Sequence, residues 1–246
     1  MELESRVVLI TGAKRVGAVL ARAAAARGAD VAVSYNRSRD EADETVAAVS
    51  AAGRRALALE ANVADPAACA TLVAAVDREF GRLDVLVNMA SIYKNVPFEQ
   101  MSVETWERQL AVDLRSAFLC ALAAVPIMRR SGGGRIINFS DWLAASGRPR
   151  YKGFVGYYVA KAGAKALTEA LALELAADQI LVNAIAPGPI LAPPDTTEEE
   201  YRAVERATPL GRWGGAEEIA KTVLALIDSD FITGETIRVD GGRHVD

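Results

Sequence analysis

A tyrosine and a lysine one helical turn apart form the most chemically suggestive pair in the sequence. Tyr157 and Lys161 stand four residues apart in a long Ala-rich stretch, so their side chains share one face of the predicted helix. The ammonium group is expected to lower the phenol pKa from about 10 towards neutrality, which suits the phenol to proton transfer. Tyr158 has the wrong spacing to share that face, and an ordinary surface pair is the alternative explanation of the motif.

A second chemical motif follows the first apolar run of the chain. The segment Thr11–Gly17 reads TGAKRVG and leads from a predicted strand into a predicted helix. Glycines at such a turn let the backbone approach a pyrophosphate at the positive N-terminus of the helix. This context predicts a dinucleotide site, with a merely tight turn as the alternative.

The end of the second predicted strand indicates which dinucleotide binds. An NAD site requires an acidic residue there to hold the ribose 2′-hydroxyl. The sequence instead has a guanidinium and a hydroxyl, which suit the 2′-phosphate of NADP because arginine forms charge-assisted hydrogen bonds with phosphate. We therefore expect NADP(H), with a solvated loop arginine as the alternative. The residues concerned are Ser34, Tyr35, Asn36, Arg37 and Ser38.

Composition and length exclude several classes of protein. The 246 residues carry a formal net charge of −4, and 51% of them are apolar against 24% charged, as in a soluble globular protein. There is no basic stripe, so nucleic acid is not an expected partner. The longest apolar run, 117–125, is too short to cross a bilayer, and the acidic first residues do not resemble a signal peptide. We expect a cytoplasmic protein.

Cysteine and histidine usage argues against metal and thiol chemistry. Cys69 and Cys120 are isolated in Ala-rich segments without the spacing of a metal site, so buried reduced thiols are expected. His244 is the only histidine and lies close to the C-terminus. A histidine base or a histidine-ligated metal is therefore not expected, and the chemistry must rest on other groups.

Predicted strands and helices alternate along the sequence. Short β-branched runs alternate with longer stretches of helical period, and Gly28, Gly53 and Gly81 stand where helices should end. Repeated β-α units form a parallel sheet covered on both faces. We expect one α/β domain over residues 1–246, a Rossmann-type doubly wound parallel sheet with helices on both faces. The predicted strands are Val7–Ile10, Val31–Tyr35, Ala56–Leu59, Val85–Asn88, Arg135–Phe139 and Ile180–Ile185.

One segment does not fit this alternation. Residues 187–197 contain four prolines and a glycine, and an acidic helix start follows them. Loops of this kind in a compact domain are often functional. We therefore expect a loop or lid beside the ligand.

The order of these motifs resembles the short-chain dehydrogenase/reductase family. The resemblance extends over nearly the whole chain. It implies a sheet of about seven strands, a nicotinamide cofactor across the carboxyl edge of the strands, and a homo-oligomer, either a tetramer or a dimer. It rests on the glycine-rich turn, on Leu86–Ala90 (LVNMA), on the pair Tyr157 and Lys161, on Ala186–Gly188 (APG) and on Val239–Gly242 (VDGG).

The resemblance also implies roles for individual residues. Tyr157 would be the catalytic acid/base, and Lys161 would bind the nicotinamide ribose and lower the phenol pKa. Asn62 would contact the adenine, and the segment after the sixth strand would flank the nicotinamide. The implied cofactor-binding residues are Gly12, Lys14, Arg15, Val16, Gly17, Tyr35, Asn36, Arg37, Ser38, Asn62, Val63, Asn88, Ala90, Ser91, Lys161, Pro187, Gly188 and Ile190.

Several departures from the general family pattern resemble its pteridine reductase branch. Arg15 precedes the last glycine of the turn, although the turn is one residue shorter than is usual in that branch. Asp141 stands where the family has a catalytic serine, and the insert-like segment 147–153 lengthens its spacing to the catalytic tyrosine. Ser91 and Tyr93 resemble residues that touch and stack on a pterin. The implied substrate residues are Ser91, Tyr93, Trp142 and Tyr157.

Some of these positions have a second interpretation. Asp141 could cap the following turn while Ser140 supplies the catalytic hydroxyl. Asp113, at the place of the family's proton-relay asparagine, could order the relay water or lie solvated on a helix face. Tyr93 could be a pocket wall, and Trp142 a core residue. The candidate catalytic residues are Tyr157, Lys161, Asp141 and Asp113.

The expected activity follows from the resemblance. It implies an NADPH-dependent reductase that transfers a hydride to a C=N or C=O carbon while Tyr157 supplies the proton. The favoured small-molecule substrate is a dihydropterin, and a 3-oxoacyl thioester or another ketone is the alternative. A non-catalytic NADP(H)-binding sensor is an alternative from another class, which the intact pair of Tyr157 and Lys161 opposes.

Overall fold

A computed structural model describes residues 1–245 as a parallel sheet with helices on both faces. The strands are β1 Val7–Thr11, β2 Asp30–Tyr35, β3 Ala56–Glu60, β4 Val85–Asn88, β5 Gly134–Phe139, β6 Ile180–Pro187 and β7 Thr236–Val239. All seven pair in parallel, in the order β3-β2-β1-β4-β5-β6-β7. This doubly wound order confirms the expected fold class.

Helices provide the crossovers between the parallel strands. A π-helical turn, Ala111–Arg115, joins α4 to α5 without a break in the helical stretch. The helices are α1 Val16–Ala25, α2 Arg39–Ala51, α3 Pro66–Phe80, α4 Val103–Leu110, α5 Ser116–Arg130, α6 Trp142–Ser146, α7 Val155–Leu175, α8 Glu198–Arg206 and α9 Ala216–Asp228.

Capping residues determine where several helices begin and end. The Asp65 carboxylate accepts a hydrogen bond from the Ala67 amide at the start of α3. Gly81 ends α3 with a φ of 74°, in the left-handed region that favours glycine. Ser102 caps α4, and Thr197 forms a reciprocal capping box at α8. These caps fix the loops between the helices and the strands.

Each face of the sheet buries its own apolar core. Val8 and Ile10 of β1 pack against α1 and α9, whereas Val7 and Leu9 point to the opposite face and pack with α3 and α5. This alternation is what a sheet covered on both faces requires. Cys69 and Cys120 are free and buried in the second core, as the sequence predicts.

The continuous helical stretch 103–130 comprises α4, the π-helical turn and α5. Within the described residues it is the one helix long and apolar enough to span a membrane, with a mean hydropathy of 1.8 over 18 residues. Half of that window is buried inside the protein. Buried core helices meet the same length and hydropathy criteria, so this property is weak evidence for a membrane span.

Candidate active site

A cavity of 990 Å³ lies among the glycine-rich turn, the loop after β6 and the segment between α6 and α7. Its volume is at the upper end of the range for small-molecule sites. The predicted loop 187–197 contributes much of one wall, which places that loop beside the cavity as expected. The predicted site residues that line the cavity are Lys14, Arg15, Val16, Ser91, Tyr93, Asp141, Trp142, Tyr157, Pro187, Gly188 and Ile190.

The other predicted site residues do not line the cavity. Most of them follow or end strands β1 to β4, and the carboxyl ends of parallel strands share one edge of the sheet. These residues therefore lie along the carboxyl edge of the sheet, where doubly wound folds bind dinucleotides. The residues are Gly12, Gly17, Tyr35, Asn36, Arg37, Ser38, Asn62, Val63, Asn88, Ala90, Asp113 and Lys161.

The glycine-rich turn is built by close backbone packing. A Cβ atom on Gly17 would lie 1.8 Å from the Gly12 carbonyl oxygen, so only glycine fits there. Arg15 precedes α1 with a φ of 55°, and no side chain caps that helix. The Gly17 amide donates to the Lys14 carbonyl oxygen at 3.1 Å, and no side chain competes with an anion such as a phosphate for the rest of the first turn of α1. The Arg15 guanidinium donates to the Ala192 carbonyl oxygen at 2.8 Å and so links the turn to the loop after β6.

The end of β2 presents a cation to solvent. Arg37 is exposed, and within residues 1–245 no hydrogen bond or ion pair engages its guanidinium. Ser38 stands at the N-terminus of α2, and its hydroxyl makes no capping bond. The neighbouring Arg39 differs, because it faces Asp43 at 3.6 Å. Arg37 and Ser38 thus have the free charge and hydroxyl that a phosphate would use.

Asp141 contacts the candidate proton donor directly. The Tyr157 hydroxyl donates to Asp141 Oδ2 at 3.2 Å, while Asp141 Oδ1 accepts from the Leu143 amide at the start of α6. The carboxylate therefore caps a helix and contacts the tyrosine at the same time. The Ser140 hydroxyl is buried and donates to the Lys161 carbonyl oxygen at 2.8 Å. The structure thus places Asp141, and not Ser140, against the hydroxyl of Tyr157.

Lys161 and Asp113 form a buried ion pair. Lys161 Nζ lies 3.3 Å from Asp113 Oδ1 and donates to the Phe139 carbonyl oxygen at 3.0 Å. The ammonium is 5.7 Å from the centre of the Tyr157 ring. The interpretation of Asp113 as a solvated carboxylate on a helix face is wrong, because its side chain is fully buried.

Burial and nearby charge set the ionisation of the site. Burial, together with the carboxylates of Asp141 and Asp113, raises the pKa of Tyr157 well above its ordinary value. The expectation that Lys161 lowers this pKa towards neutrality is therefore wrong for this structure, since the lysine charge is paired with Asp113. Burial also raises the pKa of Asp141, partly offset by the Leu143 amide, the Tyr157 hydroxyl and the Lys161 charge.

An aromatic cluster forms one wall of the cavity. Tyr93 is 59% exposed, stacks on Phe154 with ring centres 4.8 Å apart, and meets Tyr157 edge-on at 5.0 Å. The Val96 amide donates to the Gly153 carbonyl oxygen at 2.7 Å, which ties the Tyr93 loop to the segment before α7. Phe154 was not among the predicted site residues. The available signal was an aromatic residue directly after the insert-like segment 147–153.

Gln109 and two arginines, Arg150 and Arg243, were not among the predicted site residues. Gln109 donates from Nε2 to Asp113 Oδ2 at 2.6 Å and to the Ile92 carbonyl oxygen at 2.8 Å, and its position four residues before Asp113 was the available signal.

Arg150 and Arg243 place their guanidinium carbons 5.3 and 5.5 Å from the centre of the Trp142 ring. Trp142 is buried, as a core residue would be, and also lines the cavity, so its contact with a substrate stays a prediction.

The fold and the cavity define a Rossmann-type oxidoreductase class, and comparisons with known proteins agree. A family model described as enoyl-(acyl carrier protein) reductase matches residues 12–244. A 3-oxoacyl-[acyl-carrier-protein] reductase from Synechocystis is 38% identical over 245 residues, covering 98% of this chain and 97% of that protein. The chain belongs to the short-chain dehydrogenase/reductase family, whose members bind a nicotinamide cofactor, and it is an oxidoreductase.

Solved structures give the same result. A short-chain dehydrogenase/reductase from Serratia marcescens superposes with a TM-score of 0.92 at 33% identity, covering 99% of this chain and 100% of that one. A blue fluorescent protein from a metagenomic library, solved in complex with NADPH, has a TM-score of 0.91 at 33% identity, with 99% of each chain covered. The whole described fold is therefore shared with these proteins.

Proposed function

We propose that this chain is an NADPH-dependent reductase of carbonyl compounds, with 3-oxoacyl thioesters as its first substrate class. The observation that carries the proposal is the place of Tyr157, whose side chain lines the cavity and whose hydroxyl donates to Asp141 Oδ2 at 3.2 Å. A phenol hydroxyl placed in such a cavity can act as a general acid and give its proton to a reduced carbonyl oxygen. The similar 3-oxoacyl-[acyl-carrier-protein] reductase supports the choice of thioester.

The residues at the sheet edge fit NADP(H). The pyrophosphate would meet the uncapped first turn of α1, where the absence of a Cβ on Gly17 permits the tight approach to Gly12. The 2′-phosphate would meet Arg37 and Ser38, which have the free charge and hydroxyl described above. When bound, the cofactor supplies the hydride.

The remaining step is a proton transfer by the chain's own residues. The substrate carbon gains the hydride, the Tyr157 O–H bond breaks, and its proton goes to the carbonyl oxygen to give an alcohol. Asp141 holds the Tyr157 hydroxyl by a hydrogen bond, and Lys161 is held by the Phe139 carbonyl oxygen and by Asp113. Positioning and proton donation are therefore the main contributions of the protein.

A substrate panel tests the proposal. NADPH consumption is measured with acetoacetyl-CoA, 2,3-butanedione and dihydrobiopterin, each with wild-type protein and with Tyr157→Phe as the matched blank. We expect thioester-dependent consumption that is lost in Tyr157→Phe. Turnover of dihydrobiopterin alone would replace the thioester by a pterin, and no turnover of any carbonyl or pterin would refute the reductase assignment.

A dihydropterin is the second candidate, and Asp141 favours it. A buried carboxyl with a raised pKa can be neutral near the substrate and donate a hydrogen bond to a ring nitrogen. The exposed face of Tyr93 offers a flat surface for a fused heterocycle. A relation to the pteridine reductase branch stays a proposal on these two grounds.

Location and assembly are proposals as well. We retain a cytoplasmic location and a homo-oligomer, either a tetramer or a dimer, as expectations from composition and family resemblance. Fractionation of cells and light scattering of the purified protein test them. A membrane-bound pool or a monomer at micromolar concentration would contradict the respective expectation.

A further inference from the structure

Asp113 lies at the centre of a buried polar network. Its side chain is fully buried in the π-helical turn, and it is paired with Lys161, whose side chain is 3% exposed. Burying a carboxylate and an ammonium together costs desolvation free energy, so such pairs persist only where good geometry and further hydrogen bonds support them. The pair is therefore a specific feature of this site that requires a physical explanation.

Every described contact of the Asp113 carboxylate is with a donor. Oδ1 accepts from the Ser91 hydroxyl and faces Lys161, while Oδ2 accepts from the Ile92 amide at 3.0 Å and from Gln109 Nε2 at 2.6 Å. Three of these donors come from the loop after β4 and from α4, and the fourth comes from α7. The carboxylate thus joins the lysine to the loop that carries the aromatic wall.

The titratable groups around Tyr157 come from four elements. The π-helical turn contributes the carboxylate of Asp113, the loop after β5 contributes Asp141, and α7 itself contributes Lys161, while the loop after β4 contributes the neutral phenol of Tyr93. The lysine is the one cation among them, and its nearest charged group is Asp113, at 3.3 Å. The positive charge that could stabilise a phenolate is therefore balanced by a carboxylate.

We propose that Asp113 is a positioning residue that pairs with Lys161 and thereby keeps Tyr157 a neutral proton donor throughout the physiological pH range. The inference rests on the proposed function only for the use of that proton in catalysis. The direction of the phenol pKa, raised by burial, Asp141 and Asp113, agrees with it. Removing the Asp113 charge should leave Lys161 to act on the phenol alone, so that Tyr157 ionises at lower pH.

Tyrosine titration in the cofactor-free protein tests the inference directly. Protein labelled with ¹³C at the tyrosine Cζ is titrated by NMR, and the Tyr157 signal is assigned by its loss in Tyr157→Phe. In Asp113→Asn the midpoint of the Tyr157 titration should fall by at least about one pH unit, which is a tenfold change in the acid dissociation constant of the phenol. Glu169→Gln removes one carboxylate charge from the same helix, about 18 Å further along it, and should leave the midpoint unchanged.

A second variant and a second readout separate charge from folding. Asp113→Ser removes the charge without placing an amide donor against Gln109, and thermal unfolding checks that each variant folds. In the reductase assay, the loss of activity at alkaline pH should move to lower pH by the same amount as the NMR midpoint. An unchanged or higher midpoint in a folded Asp113 variant overturns the inference. If the Asp113 variants show the lowered midpoint but Tyr157→Phe keeps wild-type reductase activity, the inference stands and the proposed function is overturned.

Discussion

The cofactor side of the candidate site, at the ends of β1 and β2, exposes its polar groups, whereas the proton-donor side is buried and internally paired. Arg37 has no ion-pair partner within the described chain, and the first turn of α1 has no side-chain cap. In contrast, Lys161, Asp113 and the hydroxyl of Tyr157 each have protein partners.

This difference has an energetic consequence. Exposed groups gain partners when a ligand binds, so removing one of them weakens binding by the free energy of a single contact. A buried network is already satisfied, and removal of one member leaves another polar group unpaired in a low-dielectric interior. We therefore expect graded changes of affinity from the first side and large changes of turnover or ionisation from the second.

The largest effect should come from the proton donor. Tyr157→Phe removes one hydroxyl from the buried side and should lower turnover about 10²- to 10⁴-fold, the usual contribution of a general acid. Steady-state kinetics measures this, with cofactor binding and the melting temperature as checks on folding. Tyr158→Phe is the matched control and should behave as wild type. Ordinary activity in Tyr157→Phe with loss in Tyr158→Phe would show that the wrong tyrosine was assigned.

The next effect concerns cofactor preference on the exposed side. Arg37→Ala should reduce the preference for NADPH over NADH by roughly 1.5–3 kcal/mol, about 10- to 150-fold, because a charge-assisted contact with the 2′-phosphate is lost. The ratio of kcat/KM for the two cofactors measures it. Arg39→Ala removes a neighbouring arginine that is already paired with Asp43 and should leave the ratio unchanged. Equal use of both cofactors by wild type would contradict the assignment of NADP(H).

A pH profile examines Asp141 on the buried side. Burial raises its pKa, so its neutral form persists to higher pH than in an ordinary carboxyl group. If that form donates to a pterin, dihydropterin turnover rises as pH falls through this pKa. Asp141→Ser should flatten the rise and lower pterin turnover several-fold, about 1 kcal/mol, while sparing the thioester.

The control for this profile is a second carboxylate of the same cavity. Asp195 lines the cavity from the loop after β6, and Asp195→Ser should keep the rise in dihydropterin turnover at acidic pH. If dihydropterin turnover in Asp141→Ser has the same pH profile as in wild type, the main reason for considering a pterin as substrate is removed.

The two sides also differ in how far the sequence predicts them. The ends of the strands and the spacing of Tyr157 and Lys161 are local patterns, and the structure reproduces them with small extensions. The sixth strand, for instance, continues from Ile185 to Pro187, where Pro187 pairs in register with Val239. Local periodicity therefore predicts six of the seven strands, whereas β7 was expected only from the family resemblance.

The buried side could not be predicted in the same way. The pairing of Lys161 with Asp113 joins residues 48 positions apart on different helices, and the stacking of Tyr93 on Phe154 joins two irregular segments. The direction of the phenol pKa depends on burial and on these long-range contacts, so motif spacing alone gave the wrong sign. Family resemblance located Asp113 in the site but did not reveal its partners.

The smallest expected effect shows whether Tyr93 stacks on the ring of a substrate or only forms part of the cavity wall. Tyr93 lies on the proton-donor side, where it meets Tyr157 edge-on and stacks on Phe154, and 59% of its surface is exposed. Stacking of a flat ring contributes about 1 kcal/mol, so Tyr93→Ala should raise KM for dihydrobiopterin roughly fivefold with little change in kcat. Phe98→Ala removes another exposed aromatic side chain of the segment between β4 and α4 and should leave KM unchanged. If KM for 2,3-butanedione rose as much as KM for the pterin, Tyr93 would act only as a wall, because this small aliphatic diketone has no ring to stack.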